Sequence, residues 1–370
     1  MLKVLFVTPM WPSAHGPYYG LFVRQLANEL EKRGVSVAVV AITDPSRGVM
    51  GIVKKYLKLG SALFATTGRF DLVHAHSVFP AGLIAAVYAN WRHLPLVLTL
   101  HGQNVYEWRR IPLGRAIYRW IFAAAGKIVF VSSHLLNVAV GFFGDAIVSK
   151  SVVIGNGLCT DLFRVMPQNE ARQHLLLKTD DAIILAVARL IREKGLDVLL
   201  KAISLLDESA MPMTVLVGDG PEKLALQALA AKLGILEKVW FAGSVEPGKM
   251  PFWYAACDIF VSTSRREGYG IALREAMACG RPVLASRIGV YEDAFENAKE
   301  GLFFEPGNHE ELAAKIRILL QSDALRRRLS ASAIKRARSF SWNTPAEQTI
   351  ELYKSILGTH SLVRASTKGM

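Results

Sequence analysis

Cys257-Asp-Ile-Phe-Val-Ser-Thr-Ser-Arg-Arg-Glu-Gly-Tyr-Gly-Ile-Ala-Leu-Arg-Glu-Ala-Met-Ala-Cys-Gly280 is the stretch on which the reading of this chain turns. Its first six residues centre on the apolar run Ile259-Phe-Val261, the pattern of a buried strand. From about Gly270 to Cys279 the pattern is that of a helix. Glu267 falls at the strand-to-helix turn, and Glu275 lies about two turns into the helix, so the helical part of the spacing keeps both carboxylates near one edge. Gly268 and Gly270 let backbone N–H groups at a helix N-terminus approach an anion. Two carboxylates beside an anion site suit a ligand with both phosphates and hydroxyls, as in a nucleotide sugar. The plainer alternative makes Glu267 a helix-start charge favoured by the dipole and Glu275 a solvated face residue.

The alternation extends outward in both directions. Apolar runs at 4–7, 35–42, 72–75, 96–100, 128–131 and 152–154 are separated by helical patterns such as 21–33. A second set follows at 183–188, 214–217, 239–242, 259–262, 283–285 and 302–304. Strands alternating with helices predict parallel, doubly wound sheets, here in two Rossmann-like halves. A length of 370 residues exceeds what one core usually serves. The boundary is expected within 161–179, where polar and turn residues cluster, with a second break at 340–345. A final amphipathic helix is expected at 346–357 and a frayed polar tail from 358 onward. In such folds ligands bind beyond the carboxyl ends of the strands, and a cleft between two domains is the default active site.

No run of about 18 uninterrupted apolar residues is present, so no membrane-spanning helix is expected. The apolar start of the chain is ended by Pro9 without a small-residue cleavage site, and a first strand is the better reading than a signal peptide. Cys159, Cys257 and Cys279 show neither metal nor redox spacing, which suits reduced thiols and a cytoplasmic setting. The formal net charge is +13, and residues 1–163 hold 16 Lys and Arg against 7 Asp and Glu. A basic first half implies an anionic partner.

Further segments fall at predicted strand ends. In Ala188-Arg-Leu-Ile-Arg-Glu-Lys-Gly195, Arg189 sits at a strand end and Lys194 just before a helix expected at 196–206. Arg can grip a phosphate with two N–H groups and Lys adds a point charge, although a basic solvated loop would look the same. The long first turn, Pro9 to Gly20, places Gly20 where a helix begins. It is neither a Gly-x-Gly-x-x-Gly fingerprint nor a P-loop, which weighs against a dinucleotide dehydrogenase and a P-loop NTPase. Val217-Gly-Asp-Gly-Pro-Glu222 is a sharp turn that turn chemistry alone explains. His74 and His76 alternate onto one side of a strand, but no third ligand accompanies them and no metal site is expected. His101, beside Gly102 at a strand end, is a cleft candidate or else a satisfied structural histidine. Two stretches interleave basic and apolar residues: Lys54, Lys55 and Lys58 with Tyr56 and Leu57, and Arg109, Arg110, Arg115 and Arg119 with Trp108, Tyr118 and Trp120. They fit an anionic membrane interface or two amphipathic helices covering a sheet.

Together these segments resemble the retaining family-4 glycosyltransferases of the GT-B fold over nearly the whole chain. The stretch from Glu267 to Val283 is similar to the Glu-x7-Glu signature of that family, and Arg189-Leu with Lys194-Gly195 to its donor-phosphate pair. Asn156-Gly-Leu-Cys-Thr-Asp161-Leu-Phe163 is similar to its interdomain element, and Gly218-Asp-Gly-Pro221 also matches. The N-terminal turn departs from the common Gly-Gly pair with Tyr19-Gly20, and Arg24 stands where His is frequent. Pro17-Tyr-Tyr-Gly-Leu-Phe-Val-Arg24 is more similar to the teichuronic-acid and exopolysaccharide branch.

The resemblance implies two facing α/β domains with a cleft between them. Residues 1–165 plus 345–370 would form the acceptor-side domain, with the last helix crossing back, and 166–344 the donor domain. It implies that Arg189 and Lys194 neutralise the departing diphosphate and that Glu275 holds the ribose hydroxyls. Glu267, with the amides of Gly268, Tyr269, Gly270 and Ile271, would hold the donor sugar and its phosphate. Gly20 would bring backbone to the donor, Val245 would meet the base, and His101 would stand by the reacting centre. The implied reaction retains anomeric configuration, uses no metal and no cofactor beyond the nucleotide-diphosphate sugar, and serves a glycan or lipid-linked acceptor in cell-surface polysaccharide synthesis. The expected place is the cytoplasm, peripheral on the inner face of the membrane. A nucleotide-sugar epimerase of similar architecture is the enzymatic alternative. A nucleic-acid-binding protein is the alternative from charge alone, but no nucleic-acid module accompanies the charge and no nucleic acid partner is expected.

Overall fold

The structure, a computed structural model, describes residues 1–13, 19–43, 48–102, 105–177, 181–208 and 211–367, with side chains to 360 apart from that of residue 49. Pro17 and Tyr18 of the first turn, the end of the expected linker at 178–179, and 368–370 of the tail lie outside the described residues.

Two six-stranded parallel sheets account for every expected strand. The first contains β1 (Lys3–Thr8), β2 (Ser36–Ala41), β3 (Leu72–Ala75), β4 (Leu96–Leu100), β5 (Lys127–Phe130) and β6 (Ser151–Val153). Its order is β2-β1-β3-β4-β5-β6. The second contains β7 (Ile183–Val187), β8 (Met213–Val217), β9 (Val239–Gly243), β10 (Ile259–Ser262), β11 (Val283–Ser286) and β12 (Gly301–Phe304). Its order, β12-β11-β10-β7-β8-β9, reverses direction between β7 and β10. That reversal is the point where doubly wound sheets bind ligands.

The central strands read as continuous apolar runs because both their faces are covered. In β7, Ile183 and Leu185 pack into one core with Phe260, Met277 and Val283, while Ile184 and Ala186 pack into another with Leu216, Ile259 and Leu284. The first sheet has a core of Val4, Phe6, Val23, Ala27, Leu72 and Val97.

The chain divides into Met1–Gly157 with Trp342–Met370, and Leu158–Ser341. The divisions expected at 165/166 and 344/345 therefore shift toward the N-terminus. The physical reason is burial: Leu158 and Phe163, counted with the first domain, pack into the core of the second. Trp342, counted with the second, packs on Gly157 of the first, where an added Cβ would meet its indole at 2.3 Å. The final helix also departs from expectation. It spans Asn343–Thr367 instead of ending at 357, and Gly358 does not take the left-handed backbone that commonly ends a helix. Its Leu352, Tyr353 and Ile356 lie in the core of the first unit.

Candidate functional site

Beyond the carboxyl ends of β7 and β10, two loops are sewn together. Gly195 has φ +62°, and a Cβ there would stand 2.2 Å from the Thr263 carbonyl oxygen, so the loops approach as closely as backbone allows. The Thr263 hydroxyl donates to the Lys194 carbonyl at 2.9 Å, and the Arg265 N–H donates to the Glu193 carbonyl at 2.8 Å. The Arg265 guanidinium reaches the Arg192 carbonyl at 2.7 Å and forks onto Asp197 at 2.9 and 2.8 Å. This lacing delivers Lys194 to Glu267: Nζ donates to Oε2 in a short ion pair with both side chains mostly covered. The Ser264 hydroxyl adds a longer contact to the same oxygen at 3.4 Å.

Arg189 sits on the adjoining loop. Its side chain is exposed and forms no hydrogen bond or ion pair among the described residues. The Gly218-Asp-Gly220 turn lies directly behind it: Cβ atoms at Gly218 and Gly220 would meet the Ala188 and Leu190 carbonyl oxygens at 1.9 and 2.3 Å. That turn therefore does more than reverse the chain; it supports the loop bearing Arg189.

The turn after Glu267 is built from below. Gly270 adopts φ 74° as the residue preceding the helix Ile271–Ala278. A Cβ at that position would meet the Tyr291 ring at 2.5 Å. The Tyr291 hydroxyl is held 2.5 Å from the Ser262 hydroxyl at the end of β10. Arg274 lies almost wholly buried, donates to the Tyr269 carbonyl, and stands 3.8 Å over the Tyr269 ring. Burial holds its pKa below the ordinary arginine value. A cation inside the protein thus clamps the Gly268–Gly270 turn. No local signal marks Arg274 for this task, because a charged residue in a helix is ordinarily placed outward.

Glu275 has a partner of its own, different from those of Glu267. Its half-buried carboxylate accepts a 2.6 Å bond from the Tyr254 hydroxyl, on the helix Met250–Ala256. Burial pushes its carboxyl up to about 7, more than the Tyr254 bond draws it down. Tyr254 was not among the expected residues. Val245 lies in the loop after β9, half-buried against the core of the second unit.

Gly20 and His101 belong to the first unit. Gly20 has φ 77° at the start of the helix Leu21–Lys32, and a Cβ there would meet the Met10 carbonyl at 2.3 Å. His101 stacks at the end of a row of imidazoles. His74 and His76 have ring centroids 4.2 Å apart, and His76 and His101 5.4 Å. Burial lowers the pKa of His74 and His101 to about 3 and that of His76 well below its usual value, so all three are neutral at physiological pH. The contact between β3 and β4 that unites them is non-local and has no sequence signal.

The two basic stretches differ. In the second, Tyr118 is buried and Trp108 packs between Phe142 and Phe143 at 5.7 and 5.8 Å, so only Trp120 of its named aromatics stays exposed. In the first, the helix Gly48–Phe64 turns Leu59 and Leu63 inward and leaves Met50, Val53, Leu57 and Phe64 exposed. The Phe64 ring lies 5.4 Å from that of Trp91, which is 57% exposed. From Gly48 to Tyr106 the sequence has five Lys and Arg and one acid, Asp71. That carboxylate accepts a 2.7 Å bond from the Lys3 N–H. Among the described residues no helix is long and apolar enough to cross a membrane.

Comparison with known proteins agrees with this architecture. Residues 20–162 match the family described as Glycosyltransferase Family 4, and residues 167–336 that described as Glycosyl transferases group 1. The D-inositol 3-phosphate glycosyltransferase of Acidothermus cellulolyticus is 30% identical over 312 residues, covering 78% of this chain and 68% of that protein. The putative teichuronic acid biosynthesis glycosyltransferase TuaC of Bacillus subtilis is 27% identical over 85% of this chain and 88% of that protein. The solved structure of Anabaena HepE, in complex with UDP and glucose, superposes with a TM-score of 0.78 at 22% identity, covering 96% of this chain and all of that one. The chain belongs to the family-4 glycosyltransferases and has the GT-B fold.

Proposed function

We propose that this glycosyltransferase moves a sugar from a nucleotide-diphosphate donor to a glycan or lipid-linked acceptor in cell-surface polysaccharide synthesis, with retained anomeric configuration and without a metal ion. The observation that carries the reading is the Lys194–Glu267 pair at the reversal point of the second sheet. It sets a cation for the diphosphate beside a carboxylate for sugar hydroxyls. Arg189, exposed on the next loop, adds a second positive group. As the bond from anomeric carbon to phosphate oxygen breaks, these two cations stabilise the leaving diphosphate. The acceptor oxygen enters on the face the phosphate leaves, and the phosphate takes up the acceptor proton. The amides at the start of the helix Ile271–Ala278 bind a phosphate oxygen, and Glu275 binds the ribose hydroxyls. The likeness to Anabaena HepE, solved in complex with UDP and glucose, supports a uridine nucleotide as the first donor to try.

Thermal-shift and calorimetric titration against UDP-, GDP- and ADP-sugars tests the reading, followed by product analysis with and without glycan acceptors. Binding of one base class is expected, with turnover in Lys194→Ala lowered by about a hundredfold or more. No binding by folded protein would refute it, and donor conversion without any acceptor would favour the epimerase.

The acceptor side is proposed to work against an anionic bilayer, through the helix Gly48–Phe64 with Trp91. Its exposed apolar row beside Lys54 and Lys58, in a stretch with one acid, is the supporting observation. Cosedimentation with vesicles containing anionic phospholipid at low salt is expected, and Leu57→Glu should abolish it. Equal retention by purely zwitterionic vesicles, or by Leu57→Glu, would contradict this contact.

A further inference from the structure

Arg274 is a charged side chain in an apolar place. It lies on the helix Ile271–Ala278, is 4% exposed, and reaches back over the turn that precedes the helix. Its Nη1 donates to the Tyr269 carbonyl and stands 3.5 Å from where a Cβ on Gly270 would be. The guanidinium is 3.8 Å from the centre of the Tyr269 ring and 5.2 Å from that of Phe340. Among the described residues it forms no ion pair: Asp293 draws on its charge only from farther off, and the Arg336 cation opposes it. Its Nε is buried and has no partner among the described residues. All of these groups belong to the second unit.

Burying a cation without a counter-charge is costly, and one carbonyl with two ring faces offsets only part of that cost. An apolar side chain of similar length would fill the same space without it. The charge therefore serves something other than packing. The carbonyl that Arg274 holds belongs to the trans peptide between Tyr269 and Gly270. In a trans peptide the N–H points opposite to the carbonyl. Drawing the Tyr269 carbonyl toward Arg274 thus aims the Gly270 N–H away from the guanidinium. That N–H donates to no group among the described residues, although Gly270 is buried. Orphaned N–H groups are rare, and at the start of a helix they suit an anion. Tyr269 and Ile271, on either side, are half-buried and keep the turn at the surface.

We propose that Arg274 is a positioning residue for a diphosphate. It turns the Tyr269–Gly270 peptide so that the Gly270 N–H faces a phosphate oxygen, and its unneutralised charge strengthens the hold on that anion from beneath. That the diphosphate belongs to a nucleotide sugar rests on the transfer reaction proposed above; the part of Arg274 in binding a diphosphate does not.

Inorganic pyrophosphate, UDP and uridine are the probes, titrated by calorimetry into the intact protein and its variants, with glycine-labelled amide NMR to follow Gly270. Pyrophosphate should shift the Gly270 amide of the intact protein. Arg274→Met fills the space without charge, and Arg274→Gln keeps an N–H for the Tyr269 carbonyl without charge. Both should bind pyrophosphate and UDP about tenfold more weakly or worse, with uridine affinity unchanged. Arg274→Lys, which keeps the charge, should recover most of the loss, and with Arg274→Gln it carries the comparison if the Met variant does not fold. Undiminished pyrophosphate affinity in a neutral variant overturns the proposal, as does a Gly270 amide that pyrophosphate leaves unmoved in the intact protein. Equal losses for uridine and UDP make Arg274 a structural residue only and overturn it too. If pyrophosphate binding depends on Arg274 but no nucleotide sugar is turned over, the transfer reading falls and the role of Arg274 stands.

Discussion

Glu275 is the residue whose chemistry is most open to test. Its carboxyl is raised from 4.5 to about 7, chiefly by burial, with Tyr254 pulling it partly back. A raised carboxyl means that the folded chain keeps a proton which the unfolded chain releases near the ordinary value. The stability this provides is fully present below that ordinary value and is lost as pH rises through about 7. A ribose hydroxyl that donates to this group favours the carboxylate, so binding should expel the proton. Nucleotide affinity is therefore expected to strengthen as pH is raised through about 7. Near that pH the calorimetric heat should vary with the ionisation enthalpy of the buffer. Glu275→Gln should remove both effects, and Tyr254→Phe should move the affinity rise to higher pH. An affinity independent of pH in the intact protein would show that this carboxylate does not touch the ligand.

At the scale of the element, close backbone approach decides what the loops can present. Gly195 and Gly234 both have left-handed backbones, at φ +62° and +72°, yet an added Cβ meets the Thr263 carbonyl at 2.2 Å in the first case and nothing within 4 Å in the second. Gly234→Ala should thus cost about 1 kcal/mol, the strain of the backbone alone. Gly195→Ala should cost about 3 kcal/mol or more, because the loops must also part. It should weaken donor binding as Lys194 leaves Glu267. Equal destabilisation in denaturant titrations would mean that the approach is not what binds the loops. Local pattern made all twelve strands legible, since each is a short, largely apolar run and the central ones are buried on both faces, and it made the Gly270 turn legible through its glycines. What it could not disclose depends on neighbours distant in sequence. Lys194 meets Glu267 because β10 lies beside β7, and His76 meets His101 because β4 lies beside β3. Arg274 is hidden for a different reason: only tertiary packing places an aromatic ring and a carbonyl around a buried cation.

At the scale of the whole molecule, the first unit draws part of its core from the last helix of the chain. Leu352, Tyr353 and Ile356 are buried in the first core, the Tyr353 hydroxyl meets His74, and Asn343 accepts from Arg33 at 2.7 Å. At about 1.5–3 kcal/mol for each buried side chain, these three alone approach the whole stability of a typical domain. The second unit has no such debt, because Leu158–Ser341 is one continuous segment with cores on both faces of its sheet. Ending the chain at Ser341 should therefore abolish cooperative melting of the first unit and leave that of the second intact. Calorimetry can separate the two, and hydrogen exchange should show β1, β3 and β4 losing protection while β7, β10 and β11 keep theirs. Loss of protection in both sheets would mean that the second unit cannot stand by itself. Retention in both would mean that the helix covers the first core without being needed to hold it.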